Sequence, residues 1–209
     1  MANMIDLLRE RRTVRDYKIK PVEDETLYTI LDTARWAPSA GNIQNWRFII
    51  VRDPHKRQAL ATFCAEQMWL ADAPVLVVMC SLTDKVKDMF GERGEAVYAL
   101  QSTSAAIENI LIAAWSFGVG SAWIGSFSED DVRKLLQIPF EVEIHAIISL
   151  GYPKEVPTPP RRLHLGDITF FEKYGNRKAD LEVFPLSKHI PKVQKTAQDV
   201  IQRILERKK

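Results

Sequence analysis

Residues 96–117, AVYALQSTSAAIENILIAAWSF, constrain the fold more than any other stretch. They hold neither proline nor glycine, and apolar residues fall on nearly every face of a helix drawn through them. A helix that is apolar all round has to sit in an interior, so other elements must be laid against it. Gln101, Glu108 and Asn109 lie within it. A membrane span of roughly 20 apolar residues would not carry all three. The expectation is a central helix of a protein that works in water, without a membrane partner.

The covering layers can be read on either side. Residues 4–12, with Ile5, Leu7 and Leu8, predict a short first helix. In PVEDETLYTILDTARWAP, Leu27, Ile30, Leu31 and Ala34 make one apolar stripe, and Glu23, Asp24 and Glu25 crowd the end where the helix dipole favours acids. Asp53-Pro54 caps and opens a helix expected to run to about residue 69. Ser128, with Asp131 three residues on, opens another that Pro139 ends. The short apolar runs 48–51, 75–80 and 144–150 read as buried strands. Residues 81–95 are polar and glycine-bearing and read as a loop or lid, with Phe90 a candidate to shape a site beneath it. Trp36, Trp69 and Trp115 fall on expected helices and read as core or interface residues.

Bulk properties exclude several classes. A chain of 209 residues makes one domain, or one domain with an arm. Its net charge of +2 gives no field that would make nucleic acid the main partner. The two cysteines, Cys64 and Cys80, form no CxxC pair, and His55, His145, His164 and His189 are scattered, so no zinc site is expected. Both thiols read as buried in a reducing cytoplasm. The first residues, MANMID, lack the layout of a signal peptide. After residue 153 the composition shifts to the proline-rich, basic PKEVPTPPRR. Beyond it only 168–171 and 193–205 carry apolar pattern, which suggests an arm at 163–209 that packs on a partner subunit, after a body at 1–162.

Three segments carry candidate donors. In RRTVRDY, Arg11, Arg12 and Arg15 surround the hydroxyl of Thr13. Planar guanidinium groups suit a phosphate, and a solvated basic helix end explains the same residues. In GVGSAWIG the glycines allow a backbone to approach a ligand closely. A helix end followed by a tight turn explains them equally. Arg161 and Arg162 follow a stiff proline segment, either as a further phosphate contact or as a basic surface loop. Between these lies APSAGNIQNWRF, dense in hydroxyl, amide and small side chains. No Ser-His-Asp set, carboxylate pair or P-loop is visible. Donors without a nucleophile point to chemistry carried by a cofactor.

Taken in order, RRTVRDY, APSAGNIQNWRFIIV, EQMWLADAPVLVV, the long helix ending FGVGSAWIGSF, and LGYPKEVPTPPRR resemble the nitroreductase family of FMN-dependent oxidoreductases. The resemblance covers residue 4 to about 162. It implies an α+β fold, with a central, mainly antiparallel sheet flanked by helices. It also implies an intertwined homodimer that exchanges C-terminal arms, the sheet being completed by a partner strand for which 168–171 is the candidate. FMN is implied at the dimer interface. Pro38, Ser39, Ala40, Asn42 and Gln44 would approach it from one subunit, and Arg11, Arg12, Thr13 and Arg15 from the other. Arg11, Thr13 and the region of Arg161 and Arg162 would hold the phosphate, and Arg15 the polar edge of the ring. Gln67, Trp123, Ile124 and Gly125 would lie near the flavin, with the backbone N–H of Ile124 directed at N5. The sequence departs from the family where Asn45 stands for a usual proline, and where Ile124 replaces an acidic residue found in some relatives.

The implied activity is NADH- or NADPH-dependent reduction of a small nitroaromatic, quinone or flavin acceptor, by ping-pong hydride transfer. Two alternatives are sibling chemistry on the same fold, dehalogenation or flavin breakdown, and a non-catalytic flavin-binding, redox-responsive protein. The basic residues Lys188, Lys192, Lys195, Arg203, Arg207, Lys208 and Lys209 raise the last.

Overall fold

A computed structural model describes residues 3–177. The chain divides into two units, Met1–Pro159 and Pro160–Lys209.

The first unit is built on a four-stranded sheet in the order β1-β2-β4-β3, every neighbouring pair antiparallel. The strands are β1 (Trp46–Val51), β2 (Val75–Leu82), β3 (Gly120–Ile124) and β4 (Val142–Gly151). The helices are α1 (Met4–Glu10), α2 (Asp24–Asp32), α3 (Pro54–Phe63), α4 (Asp84–Arg93), α5 (Ala99–Ser116) and α6 (Glu129–Leu136).

β2 explains why the sheet is covered on both sides. Its run VLVVMC has no polar face, and side chains alternate across a strand. Val75, Val77 and Met79 join one apolar cluster with Leu27, Ile30 and Leu31 of α2 and Ile107 and Ile110 of α5. Leu76, Val78 and Cys80 join another with Leu60 and Ala61 of α3 and Val132 of α6. The long apolar stretch is thus a central helix, as expected, beginning at Ala99 after one wide turn at Gly94–Tyr98. Among the described residues no helix is long and apolar enough to cross a membrane.

Local chemistry moved several boundaries. The helix opened by Asp53-Pro54 stops at Phe63, not near 69, because Ala65 and Glu66 take left-handed backbone angles. The side chain of Asp53 accepts from Lys56 N at 2.9 Å, as a cap should. The first helix ends at Glu10, where the amide of Arg11 closes it onto Leu7 O. Residues 81–95 are not a loop. They hold the end of β2 and α4, and polar composition had hidden a surface helix. At Ser128 the hydroxyl donates to Asp131 Oδ2 at 2.5 Å rather than accepting from the helix backbone.

β2 and β4 shift register where Met79 faces Ala146 but Cys80 faces Ile144, which leaves His145 as the extra residue of a bulge. Its ring bonds Ser81 Oγ at 2.6 Å. Trp69 and Trp115 pack partly buried against the second cluster, whereas Trp36 is 82% exposed.

In the second unit, 168–171 is not a strand within the chain; it follows a short helical turn at Leu165–Asp167. Phe171 and Asn176 close a small loop, N–H of Phe171 to Asn176 O at 2.8 Å and Asn176 Nδ2 to Phe171 O at 2.9 Å. The expected amphipathic stretch 193–205 and the basic tail lie outside the described residues.

Candidate functional site

The loop before β1 is a built object. Ser39 Oγ accepts from Gln44 N at 3.1 Å, and Ser39 O accepts from Asn42 N at 3.0 Å. Gln44 Nε2 donates to Asn42 O and Oδ1, each at 3.3 Å. Gly41, Asn42 and Gln44 have φ of 57°, 55° and 53°. That region suits glycine and asparagine, and for Gln44 these hydrogen bonds offset the strain. Ala40 N donates to Ser102 Oγ at 3.2 Å, and Ser102 Oγ donates to Tyr98 O at 2.7 Å, so the loop is tied to the start of α5.

Asn45 makes the second tie. It is 2% exposed, and its Nδ2 donates to Ala99 O at 3.1 Å and to Thr103 Oγ1 at 3.3 Å. Its backbone carbonyl accepts from Leu82 N at 2.9 Å. A polar residue in place of a stiffening proline is thereby fastened by bonds instead of by ring geometry. Sequence reasoning treated Asn45 only as a departure and missed this role; an amide next to a buried tryptophan was the signal.

Loop and helix line an open cleft of ≈ 440 Å³. Pro38, Ser39 and Ala40 form one wall, and Gln101, Ser102 and Ala105 of α5 another. Phe90 and Tyr98 close it as an edge-on aromatic pair, 5.5 Å between centroids at 78°. A Cβ on Gly41 would stand 2.7 Å from Met89 Sδ and 3.3 Å from Phe90 Cζ, so α4 rests directly on the loop. Immediately after Phe90, α4 is broken at Gly91, with φ 66° and ψ −161°.

The N-terminal arginine segment is organised elsewhere. Thr13 makes a parallel bridge to Ser121 of β3, with Val14 N to Ser121 O at 2.9 Å. Gly120 admits this approach, since a Cβ there would lie 2.6 Å from Val14 Cγ2. Tyr17 fixes the segment from below, its hydroxyl donating to Val14 O at 2.6 Å and bonded to Ser149 Oγ at 2.7 Å. Arg11 Nε lies 4.0 Å from Glu108 Oε1 on the middle of α5. Arg12 donates to Arg9 O and Arg11 O at 2.6 and 2.9 Å, while its Nε and the Ser121 hydroxyl are buried without a partner. Arg15 is exposed, with its guanidinium 5.7 Å from the Trp69 ring.

The predicted residues therefore gather in two groups. Arg11, Arg12, Thr13 and Arg15 stand with Trp123, Ile124 and Gly125 beside β3, which follows the C-terminal end of α5. Gln67 is half-buried, bonded to Cys64 O at 2.9 Å, one residue before the helical turn that carries Trp69. Trp123 is 41% exposed and Ile124 buried. Pro38, Ser39, Ala40, Asn42 and Gln44 stand at the N-terminal end of α5. Arg161 and Arg162 are exposed at the start of the second unit.

Burial pushes both free thiols, Cys64 and Cys80, up to about 11, and Arg133 draws Cys80 slightly back. Burial also holds His145 below the usual histidine value, against the pull of Glu129. Among the described residues no cluster of His, Cys, Asp or Glu could hold a metal ion.

The sequence profile described as the Nitroreductase family matches residues 8–152. A protein of Archaeoglobus fulgidus named as an NADH dehydrogenase/NAD(P)H nitroreductase is 35% identical over 162 residues, 74% of this chain and 88% of the relative. The FMN reductase (NAD(P)H) of Bacillus subtilis is 26% identical, covering 85% of this chain and 76% of that one. An FMN-dependent nitroreductase structure from Clostridium difficile superposes with TM-score 0.70 at 28% identity, over 81% of this chain and 99% of its own. The ordered motifs and the fold thus agree over the same residues, and this chain belongs to the nitroreductase family.

Proposed function

We propose that this protein is an FMN-dependent oxidoreductase that takes hydride from NADH or NADPH and delivers it to a small nitroaromatic, quinone or flavin acceptor. One observation carries the reading. A single chain displays two donor-rich groups, an arginine segment bridged to β3 that reaches Glu108 on the middle of α5, and an amide-rich loop tied to the start of α5 beside an open cleft. A second copy, docked antiparallel along α5, would bring the cleft of one chain to the arginine segment of the other. The exposed Met4 and Leu8 of α1 and Leu100 of α5 supply apolar surface for that contact. The arm from residue 163 is assigned to the partner's surface.

The residues suit FMN. A phosphate answers the cationic Arg11–Arg12 segment, where a buried Arg12 Nε and the Ser121 hydroxyl have no partner. Arg11 and Thr13 would hold the phosphate, and Arg15 would stabilise negative charge at the ring's polar edge. The loop amides of Asn42 and Gln44 would bond the ring from the other chain, with Gln67, Trp123 and Gly125 beside it. The backbone N–H of Ile124 is the group we assign to N5. FMN, when bound, supplies the hydride-accepting chemistry. The chain's own part is to hold the ring, keep one face open to the cleft, and admit donor and acceptor in turn.

Arg11→Ala tests the assignment. FMN affinity measured by fluorescence quenching should fall at least about tenfold, the loss of one charge-assisted phosphate contact. Unchanged affinity would overturn the placement of the phosphate.

A further inference from the structure

Arg93 is the last residue of α4, exposed just beyond the Gly91 break. Its guanidinium stands 5.8 Å from the ring centroid of Tyr98, which lines the cleft. Two acidic neighbours, Glu92 and Glu95, would be expected to capture it. Both are engaged instead by Lys87, whose ammonium lies 3.6 Å from Glu92 Oε1 and 2.6 Å from Glu95 Oε2. Those contacts favour the charged ammonium, and Lys87 is held above the ordinary lysine value, first by its hydrogen bond to Glu95. Arg93 is left with an aromatic face and, among the described residues, no carboxylate or carbonyl partner. The polar groups on the cleft walls, Ser39, Gln101 and Ser102, are uncharged.

We propose that Arg93 is the specificity-determining residue for the hydride donor, binding a phosphate of the dinucleotide at the rim while the nicotinamide enters the cleft. The inference rests on the oxidoreductase reading above. A guanidinium already oriented on a ring presents its fork to a phosphate with little further ordering. Lys87 is the positioning residue that keeps the neighbouring acids from neutralising it. Two phosphates could be the one bound, the pyrophosphate shared by NADH and NADPH or the 2′-phosphate of NADPH alone.

The test uses the full-length, FMN-loaded protein and its Arg93→Gln and Arg93→Lys variants. KM and kcat are measured for NADPH, NADH and reduced nicotinamide mononucleotide, and Kd for NADP+ and NAD+ by calorimetry. In Arg93→Gln, KM and Kd for the bound dinucleotide should rise about tenfold with kcat retained, and Arg93→Lys should recover part of the loss. A rise confined to NADPH and NADP+ assigns the 2′-phosphate. An equal rise for both dinucleotides, with the mononucleotide unaffected, assigns the pyrophosphate. No rise, or the same rise for all three donors, overturns the proposal. Retained FMN and donor-dependent bleaching of the wild type distinguish that outcome from failure of the oxidoreductase reading, in which no donor bleaches the bound flavin.

Discussion

Tyr17→Phe removes one oxygen from the middle of the molecule and should be felt at the arginine segment. The hydroxyl is buried, bonded to Val14 O at 2.6 Å and to Ser149 Oγ at 2.7 Å. Two buried hydrogen bonds are worth about 1 kcal/mol each net, and the carbonyl left behind has no other hydrogen-bond donor among the described residues. The expected loss is about 2 kcal/mol, or about 4–8 °C in Tm for a domain of this size. Burial, opposed by the Ser149 bond and the charge of Arg15, holds the phenol well above the usual tyrosine value. A raised folded pKa gives stability that is complete below the unfolded value of about 10 and lost as pH rises past it. Wild type should therefore weaken above about pH 10 more than Tyr17→Phe does. The assay is thermal unfolding by circular dichroism from pH 7 to 11, with Ser149→Ala and the double variant completing a cycle. A Tm change below about 1 °C, or an identical alkaline decline in both proteins, would refute the reasoning.

Three further outcomes follow from particular contacts. Gly41→Ala places a Cβ 2.7 Å from Met89 Sδ at a left-handed φ of 57°. The thioether can swing aside, so the cost should be about 1–2 kcal/mol of backbone strain, seen as a lower Tm and an altered acceptor KM. Asn45→Ala loses two bonds but also removes a buried, unpartnered Oδ1. It should cost under about 1 kcal/mol, whereas Asn45→Asp, which buries a charge, should cost more than about 3 kcal/mol in urea unfolding. Burial holds the His145 pKa low. That stability is complete above the ordinary histidine value of about 6.5 and is lost as pH falls toward the depressed folded value. His145→Gln should flatten the decline of ΔG between about pH 6.5 and 5.

Much of this was legible in the sequence because it rests on local pattern. The apolar stretch 96–117 could only be central, and VLVVMC could only be a strand covered on both faces. The ordered motifs carry the family resemblance in the sequence itself. What was hidden depends on contacts between distant segments. Asn45 reaches α5 more than fifty residues away, and the neighbouring tryptophan hints at its burial without naming that partner. α4 was missed because a solvated helix of Lys, Asp and Glu has the composition of a loop. The two donor groups are likewise set by contacts between distant segments, Thr13 with Ser121 of β3 and Ala40 with Ser102 of α5. The isolation of Arg93 depends on Lys87 holding both neighbouring acids, a pairing that composition does not fix.

The central claim is a flavin held by this chain and reduced by a nicotinamide. The most direct test is the visible spectrum of the purified protein after loading with FMN and gel filtration, followed by anaerobic addition of NADH and NADPH. The account predicts a retained flavin band that bleaches with at least one donor and returns on addition of a quinone. A protein that emerges without the band, or whose band neither donor bleaches, would contradict it.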